Sequence, residues 1–207
     1  MDHDARRAEL ARAVWAVVRR EGIEHASVRT VAAEAGWSPG SLRHYFPTQS
    51  ELLASALQVV VDRIGARLAA LDRDAEPRRA ARQVLHELLP LDDERRAENE
   101  VWLALTARAL VDPSLHEMHA GVDEALRRAC TNIAEALAVD DPELEGERLH
   151  ALVDGLCVHS AVNAGRLSAD RIQAIVERHL DSLAGCHQQT SSSPPNAHLR
   201  HDRPPEA

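Results

Sequence analysis

Apolar residues recur along this chain at spacings of three and four, and no stretch sustains the alternation of a strand. That period belongs to helices packed by one face. The first run spans Asp4 to Glu21, with Leu10, Val14, Val17 and Val18 on one stripe and Arg6, Arg7, Arg19 and Arg20 off it. Gly22 follows, as a residue closing a helix would. Ser27 stands at an N-cap position before a short helix, Val28 to Ala35, that Gly36 closes. Ser38 caps a third helix with Pro39 at its first position, running to Tyr45 and stopped by Pro47. Thr48 then caps a long fourth helix, and Glu51 three residues on gives a capping-box spacing. Leu53, Leu57, Val60, Ile64, Leu68 and Leu71 form its core-facing stripe.

The pattern breaks from Asp74 to Pro77 and resumes. A fifth helix reads Pro77 to Leu89, with Val84, Leu85, Leu88 and Leu89 inward. A sixth runs from Glu94 to Val111, carrying Val101, Trp102, Leu105 and Leu110. A seventh opens at Asp112-Pro113 and reaches Ala138, with Met118, Val122, Leu126, Ile133 and Leu137. An eighth opens at Asp140-Asp141-Pro142, with Leu149, Leu152, Val153, Leu156 and Val162 inward. Ser168 caps a ninth that carries Ile172, Ile175, Val176, His179, Leu180 and Leu183. From Gly185 on, the Gln-Thr-Ser-Pro run and the closing His/Arg/Pro stretch lack the apolar residues to bury a core, so 185–207 reads as a disordered tail. The expected fold is all-α, about nine helices, divided into residues 1–50, residues 51–184 and the tail.

Composition narrows the function. The chain has 207 residues, 44% of them hydrophobic and 28% charged, and no apolar run reaches membrane-span length. The N-terminus, Met1-Asp2-His3-Asp4, is no secretory signal, so the expected location is the cytoplasm. Cys130, Cys157 and Cys186 form no CxxC pair and suggest neither a disulfide framework nor a zinc site. The net charge of −9 argues against nucleic acid at first. The distribution of that charge reverses the inference. Residues 1–50 hold seven arginines against six acids, so the acidic surplus lies in the body. Such a molecule offers DNA one weakly cationic end.

Three helices of this length and spacing, joined at Gly22 and at Gly36-Trp37-Ser38, make a helix-turn-helix. The middle helix crosses the DNA backbone, and the short one sets its N-terminal side chains in the major groove. Ser38, Ser41, Arg43, His44 and Tyr45 on that short helix are types that reach bases or phosphates. Leu42 and Phe46 hold it to the core.

The segment from Val28 to Leu53, VRTVAAEAGWSPGSLRHYFPTQSELL, resembles the signature of the TetR/AcrR family of transcriptional regulators. LVDGL at Leu152 to Leu156 and ERHLDSL at Glu177 to Leu183 resemble the C-terminal dimer region of an actinobacterial-type branch of that family. The resemblance implies an N-terminal DNA-binding domain and a C-terminal ligand-binding and dimerisation domain. It implies that Arg29, Thr30, Ser38, Ser41, Arg43, His44, Tyr45 and Thr48 meet double-stranded DNA. The chain departs from the signature in three places. Trp37 replaces a small aliphatic, Arg43 a common Tyr, and Gln49 a Lys that contacts phosphate. Losing that Lys removes about one released counterion, which Arg43 restores if it meets phosphate instead of reading guanine.

For the body, helices five to seven are expected to enclose a cavity walled by helices four and eight. Leu85, Trp102, Leu105, Met118, Val122, Asp154 and Cys157 are its expected lining for an unknown small-molecule effector. A buried Trp N–H and an inward carboxylate each need a partner. For Asp154 that partner is a ligand, Arg148 or His150. Leu152, Gly155, Leu156, Ile172, Val176 and Leu180 are the expected homodimer interface, in a four-helix bundle. The alternatives are a helical protein-interaction module and a metal-dependent enzyme. No P-loop, dinucleotide fingerprint, H-E-x-x-H or nucleophile elbow supports an enzyme. His116 and His119 fit a solvated helix start better than a metal pair. Neither catalytic residues, nor a metal, nor a cofactor, is expected.

Overall fold

A computed structural model describes residues 3–185 except residues 73 and 164. Of the tail expected at 185–207, residues 186–207 lie outside the described residues, and Gly185 is instead the last residue of the ninth helix. Among the described residues there are nine α-helices and no strand. They are α1 (His3–Glu21), α2 (Val28–Glu34), α3 (Pro39–Tyr45), α4 (Gln49–Ala69), α5 (Pro77–Leu88), α6 (Asp93–Ala109), α7 (His116–Ala136), α8 (Pro142–Val162) and α9 (Ala169–Gly185). Two single-turn 3-10 segments, Ile23–His25 and Pro113–Leu115, precede α2 and α7.

The starts of the short helices are built by side chains. The Ser27 hydroxyl accepts the Thr30 N–H and the Thr30 hydroxyl accepts the Ser27 N–H, a reciprocal capping box. Ser38 accepts from Ser41 N–H, and Thr48 from Glu51 N–H. The turn between α2 and α3 is set by Gly36. At φ 69° it takes the left-handed conformation, and Trp37 N–H reaches back to Ala32 C=O at 2.8 Å. A side chain at position 36 would strain this closure, whatever space surrounds it.

Two cores result. The first joins Leu10, Val14, Val17 and Val18 of α1 to Val31, Leu42, Phe46, Leu52, Leu57 and Val60, and takes in Val101 and Leu105 of α6. The second joins Leu85 and Leu89 to Cys130, Ile133, Leu149, Val153, Leu156, Ile172, Val176 and Leu180. α4 serves both ends of the molecule. At 21 residues it runs about 30 Å, from the helix-turn-helix to the body.

Several sequence expectations need correction. On α4 the fully buried residue of the first turns is Leu52, with Leu53 only half-buried. Leu110 and Val162, expected to face inward, are 82% and 74% exposed; Leu110 is the C-cap that follows α6, and Val162 is the last residue of α8. Leu156, Ile172, Val176 and Leu180, expected at a dimer interface, are buried inside the single chain, while Leu152 and Gly155 are half-buried. The reason is that α9 docks on α5. Arg78 and Arg82 of α5 both donate to Glu177 of α9, at 3.1 and 2.9 Å, and fix the apolar face of α9 inward. No helix among the described residues is long and apolar enough to cross a membrane.

Candidate nucleic-acid interface and effector cavity

α3 presents itself outward. Leu42 is fully buried and Phe46 nearly so, and each contributes about 2 kcal/mol to holding the helix down. Between them Arg43 and His44 are exposed, as are Ser38, Pro39, Gly40 and Ser41 on the preceding turn. Arg29 is exposed on α2. Among the described residues, neither Arg29 nor Arg43 forms an ion pair or a side-chain hydrogen bond. Their donors face solvent.

The remaining expected DNA-facing residues have structural duties as well. The Thr30 hydroxyl donates within the 2.5 Å contact to His25 C=O and closes the capping box, so it is spent inside the fold. Ser38 and Ser41 share a 2.8 Å hydrogen bond, and Thr48 caps α4. Tyr45 is half-buried. Its ring meets Trp37 edge-on at 5.4 Å, and its hydroxyl accepts from Arg6 at 3.4 Å. Arg6 also lies over the Trp37 ring at 5.6 Å. Trp37 is thus a packing wedge that ties α1 to the turn. Gln49, where the resemblance implies a phosphate-binding Lys, donates to Ala26 C=O at 2.9 Å. It fastens the start of α4 to the residue ahead of the α2 cap, a role its sequence position alone gave no signal for.

The body holds a cavity of about 250 Å³ between α4, α5, α6, α7 and α8. Its wall is mostly apolar: Leu57, Ile64, Leu88, Val122, Leu126 and Val153. Of the seven expected lining residues, Trp102, Val122, Asp154 and Cys157 are on this wall. Leu85, Leu105 and Met118 are not. Leu85 and Leu105 lie fully buried in the two cores, and Met118 packs on the first. Their helical spacing marked a buried face, which cavity wall and solid core share.

Polar groups on the wall were invisible to the apolar pattern. Glu98 is 3% exposed. It takes two hydrogen bonds from Arg67, at 2.8 and 2.6 Å, and one from Arg63 at 3.2 Å. Glu87 accepts from Arg67 at 2.7 Å and Arg95 at 2.6 Å. The hydrogen bonds to Glu98 push the Arg67 pKa up despite burial. Asn99 donates to Cys157 C=O at 2.9 Å, and its Oδ1 is buried without a hydrogen-bond partner. Burial pushes the thiols of Cys130 and Cys157 up to about 12, so both are inert small hydrophobes at neutral pH. His119 is half-buried and stacked on Trp102 at 4.9 Å, and so is not part of a solvated helix start; His116 is exposed.

An exposed polar helix pinned by a buried Leu, at one end of a cavity-bearing helical body, defines a helix-turn-helix DNA-binding protein. Comparison with known proteins makes the class specific. Residues 10–56 match the family model of bacterial regulatory proteins, tetR family, and residues 77–185 match the BetI-type transcriptional repressor, C-terminal. The chain is 38% identical over 188 residues to the HTH-type transcriptional regulator PksA of Bacillus subtilis (strain 168), covering 88% of this chain and 92% of that one. A crystal structure of a transcriptional regulator from Rhodococcus sp. Rha1 superposes with a TM-score of 0.77 at 30% identity, covering 87% of this chain and 96% of that one. The multidrug binding protein EbrR complexed with imidazole superposes with a TM-score of 0.61 at 26% identity, covering 86% and 90%. The chain belongs to the TetR family of bacterial regulatory proteins. It is a DNA-binding transcriptional regulator and not an enzyme.

Proposed function

We propose that the protein is a homodimeric repressor that holds a palindromic operator and releases it when a small molecule enters the cavity. The observation that carries the DNA reading is the outward face of α3, with Arg43, His44 and Ser41 exposed over a buried Leu42. So short a helix reads few base pairs, and a second copy across a two-fold axis doubles the site. Residues 1–50 act as the DNA-reading unit and residues 51–184 as the sensing and pairing unit. Arg29, Arg43, His44 and Tyr45 meet phosphate or base edges, while Ser38, Ser41 and Thr48 add hydroxyls near the backbone and Thr30 acts only through the start of α2 that it caps.

The homodimer reading is supported by the outer face of α8. Leu144, Ala151, Gly155, Val158 and Val162 recur there at spacings of three, four and seven, and Leu144, Val158 and Val162 are 52%, 43% and 74% exposed. An apolar stripe of this kind suits helix pairing with its symmetry mate. The effector reading is supported by the apolar wall and by the unpartnered Oδ1 of Asn99, an acceptor for one donor on the ligand. α4 couples the two events, because Leu57 and Ile64 on the cavity wall share one helix with Leu52 in the DNA-reading core. The effector shifts operator affinity by its differential affinity for two α4 positions. A cytoplasmic location goes with this role.

The test is sedimentation and gel shift on the full chain with DNA from around its own gene. A dimer at micromolar concentration, and salt-dependent retention of a two-fold symmetric site, are expected. A monomer that binds DNA with no preference for any segment would overturn the proposal.

A further inference from the structure

Two histidine–aspartate pairs lie on the seam of α7 and α8. His119 and Asp123 are four residues apart on α7, and His150 and Asp154 four apart on α8, so each pair shares a helix face. Gly146 lies against Thr131 and His150 near Asp123, so the helices run antiparallel. Three donor atoms converge. His150 Nε2 lies 3.6 Å from Asp123 Oδ1 and 3.4 Å from Asp154 Oδ2. One ligand atom of each of the three residues falls within 4.8 Å of the others.

These separations are too long for hydrogen bonds, which span about 2.7–3.2 Å. The two distances to His150 are close to the roughly 3.3–3.5 Å between neighbouring ligands that each sit about 2.0–2.1 Å from one tetrahedral ion, and a small side-chain shift would bring the third pair, now within 4.8 Å, to the same spacing. His150 Nε2 is accordingly buried with no hydrogen-bond partner, on a side chain only 14% exposed. The charge balance points the same way. Glu87 and Glu98 on the nearby wall are gripped by arginines, but among the described residues no arginine pairs with Asp123 or Asp154. Two carboxylates, 44% and 41% exposed, and a buried imidazole nitrogen without a hydrogen-bond partner therefore face one another.

We propose that Asp123, His150 and Asp154 hold a divalent transition-metal ion of the zinc type, its remaining coordination position on the cavity side of Asp154. Imidazole nitrogen with two carboxylate oxygens suits such an ion, and three protein ligands leave a position for water or for a donor atom of an effector. The site requires nothing of the effector reading, so either can fail without the other.

The experiment uses the full chain stripped with a chelator. Zinc is titrated calorimetrically and cobalt by visible absorption, whose bands report coordination by nitrogen and oxygen. The sequence carries Cys186, His187, His198 and His201 after the last helix, and those residues can bind metal as well. Two substitutions separate them from the proposed site, His150→Asn and the better tolerated Asp123→Asn. Loss of a supporting partner alone typically costs 10–100-fold in metal affinity, so loss of a ligand is expected to weaken one site per chain by at least about a hundredfold. The melting temperature of the metal-free Asp123→Asn variant should stay at that of the metal-free parent, and zinc should raise only the parent's. Equal zinc affinity and stoichiometry in parent and both variants would overturn the proposal, and so would a parent that binds no zinc. In that case His150 is the ion-pair partner of the two carboxylates and no more.

Discussion

The Ser50 hydroxyl donates to a carboxylate oxygen of Asp112, joining the first turn of α4 to the turn that opens α7. The other Asp112 oxygen accepts from Ser114, from its hydroxyl at 2.6 Å and its N–H at 3.1 Å. With Gln49 bound to Ala26 one residue earlier, the start of α4 is tied to the DNA-reading unit on one side and to the body on the other. On the proposed mechanism, a movement of α4 would pull on this pair.

The pair has a pH signature. The Ser114 hydroxyl, the Ser50 hydroxyl and the Ser114 N–H hold the Asp112 carboxyl down, from an ordinary 3.8 to about 2. A depressed folded-state pKa contributes stability above the unfolded value, and that contribution is lost as pH falls through the folded value. Asp112→Asn is therefore expected to lower the urea midpoint at neutral pH. The gap to the parent should begin to narrow below about pH 4, as the parent carboxyl approaches protonation. A gap of the same size at about pH 3 as at neutral pH would show that the charge on Asp112 contributes nothing.

On the proposed reading, Arg43 and Arg29 make two different kinds of DNA contact. Arg43→Ala is expected to cost about 1–3 kcal/mol against the preferred operator and to relax preference at one base-pair position. Arg29→Ala should weaken all sequences alike and reduce the salt slope by about one. Neither residue packs in a core, so the melting temperature should hold. Gel shifts at two or more salt concentrations read both effects. Equal losses on operator and on random DNA for Arg43→Ala would remove its base-reading role.

The helices were legible because their signals are local. Ser27, Ser38 and Thr48 each cap the helix that their position in the sequence implied, and the buried Leu42 follows from period alone. What stayed hidden depends on which neighbour arrives. Leu85 and Trp102 look alike as apolar helix positions, yet one is solid core and the other cavity wall, because neighbours fill the space beside Leu85 and leave it open beside Trp102. Ile172 and Val176 carry a stripe that suits a partner chain equally well, and it turns inward because α5 offers Ala81 and Leu85 to pack against, with Arg78 and Arg82 held to Glu177 at the edge. Glu98 could not be placed at all. A buried carboxylate looks like any surface Glu until Arg67 and Arg63, some thirty residues away, are found beside it.

That cluster gives a strong expectation. Glu98 is nearly sealed, and Arg67 is only a quarter exposed, with two of its hydrogen bonds on Glu98. Removing one partner of a buried pair leaves the other charge uncompensated, at a cost of about 3 kcal/mol. Glu98→Ala should lose about that much in urea unfolding, and Glu98→Gln less, since its amide oxygen still accepts one bond. The residual pairing of Arg67 with Glu87 keeps the loss from growing further. A loss below about 0.5 kcal/mol for Glu98→Ala would mean that water replaces the carboxylate at little cost.

Two backbones of the body approach closely at Gly146 of α8. A methyl group there would lie 2.5 Å from Thr131 Oγ1, 2.7 Å from Thr131 Cα and 2.9 Å from Thr131 N. Two opposing effects decide the sign of Gly146→Ala. Helix propensity favours alanine by about 1 kcal/mol. Overlap with a packed neighbour costs about 1–3 kcal/mol when side chains can shift, and more when backbone must. Because two of the three contacts are main-chain atoms of α7, the clash wins, and a net loss of about 2 kcal/mol is expected. Thr131→Ala should not rescue it, since the Cα and N remain. Gly121→Ala on α7 is the control. Nothing lies within 4 Å of that added carbon, so it should stabilise by about 0.5–1 kcal/mol. If Gly146→Ala proved as stabilising as Gly121→Ala, α7 and α8 would not be packed as closely as this structure has them.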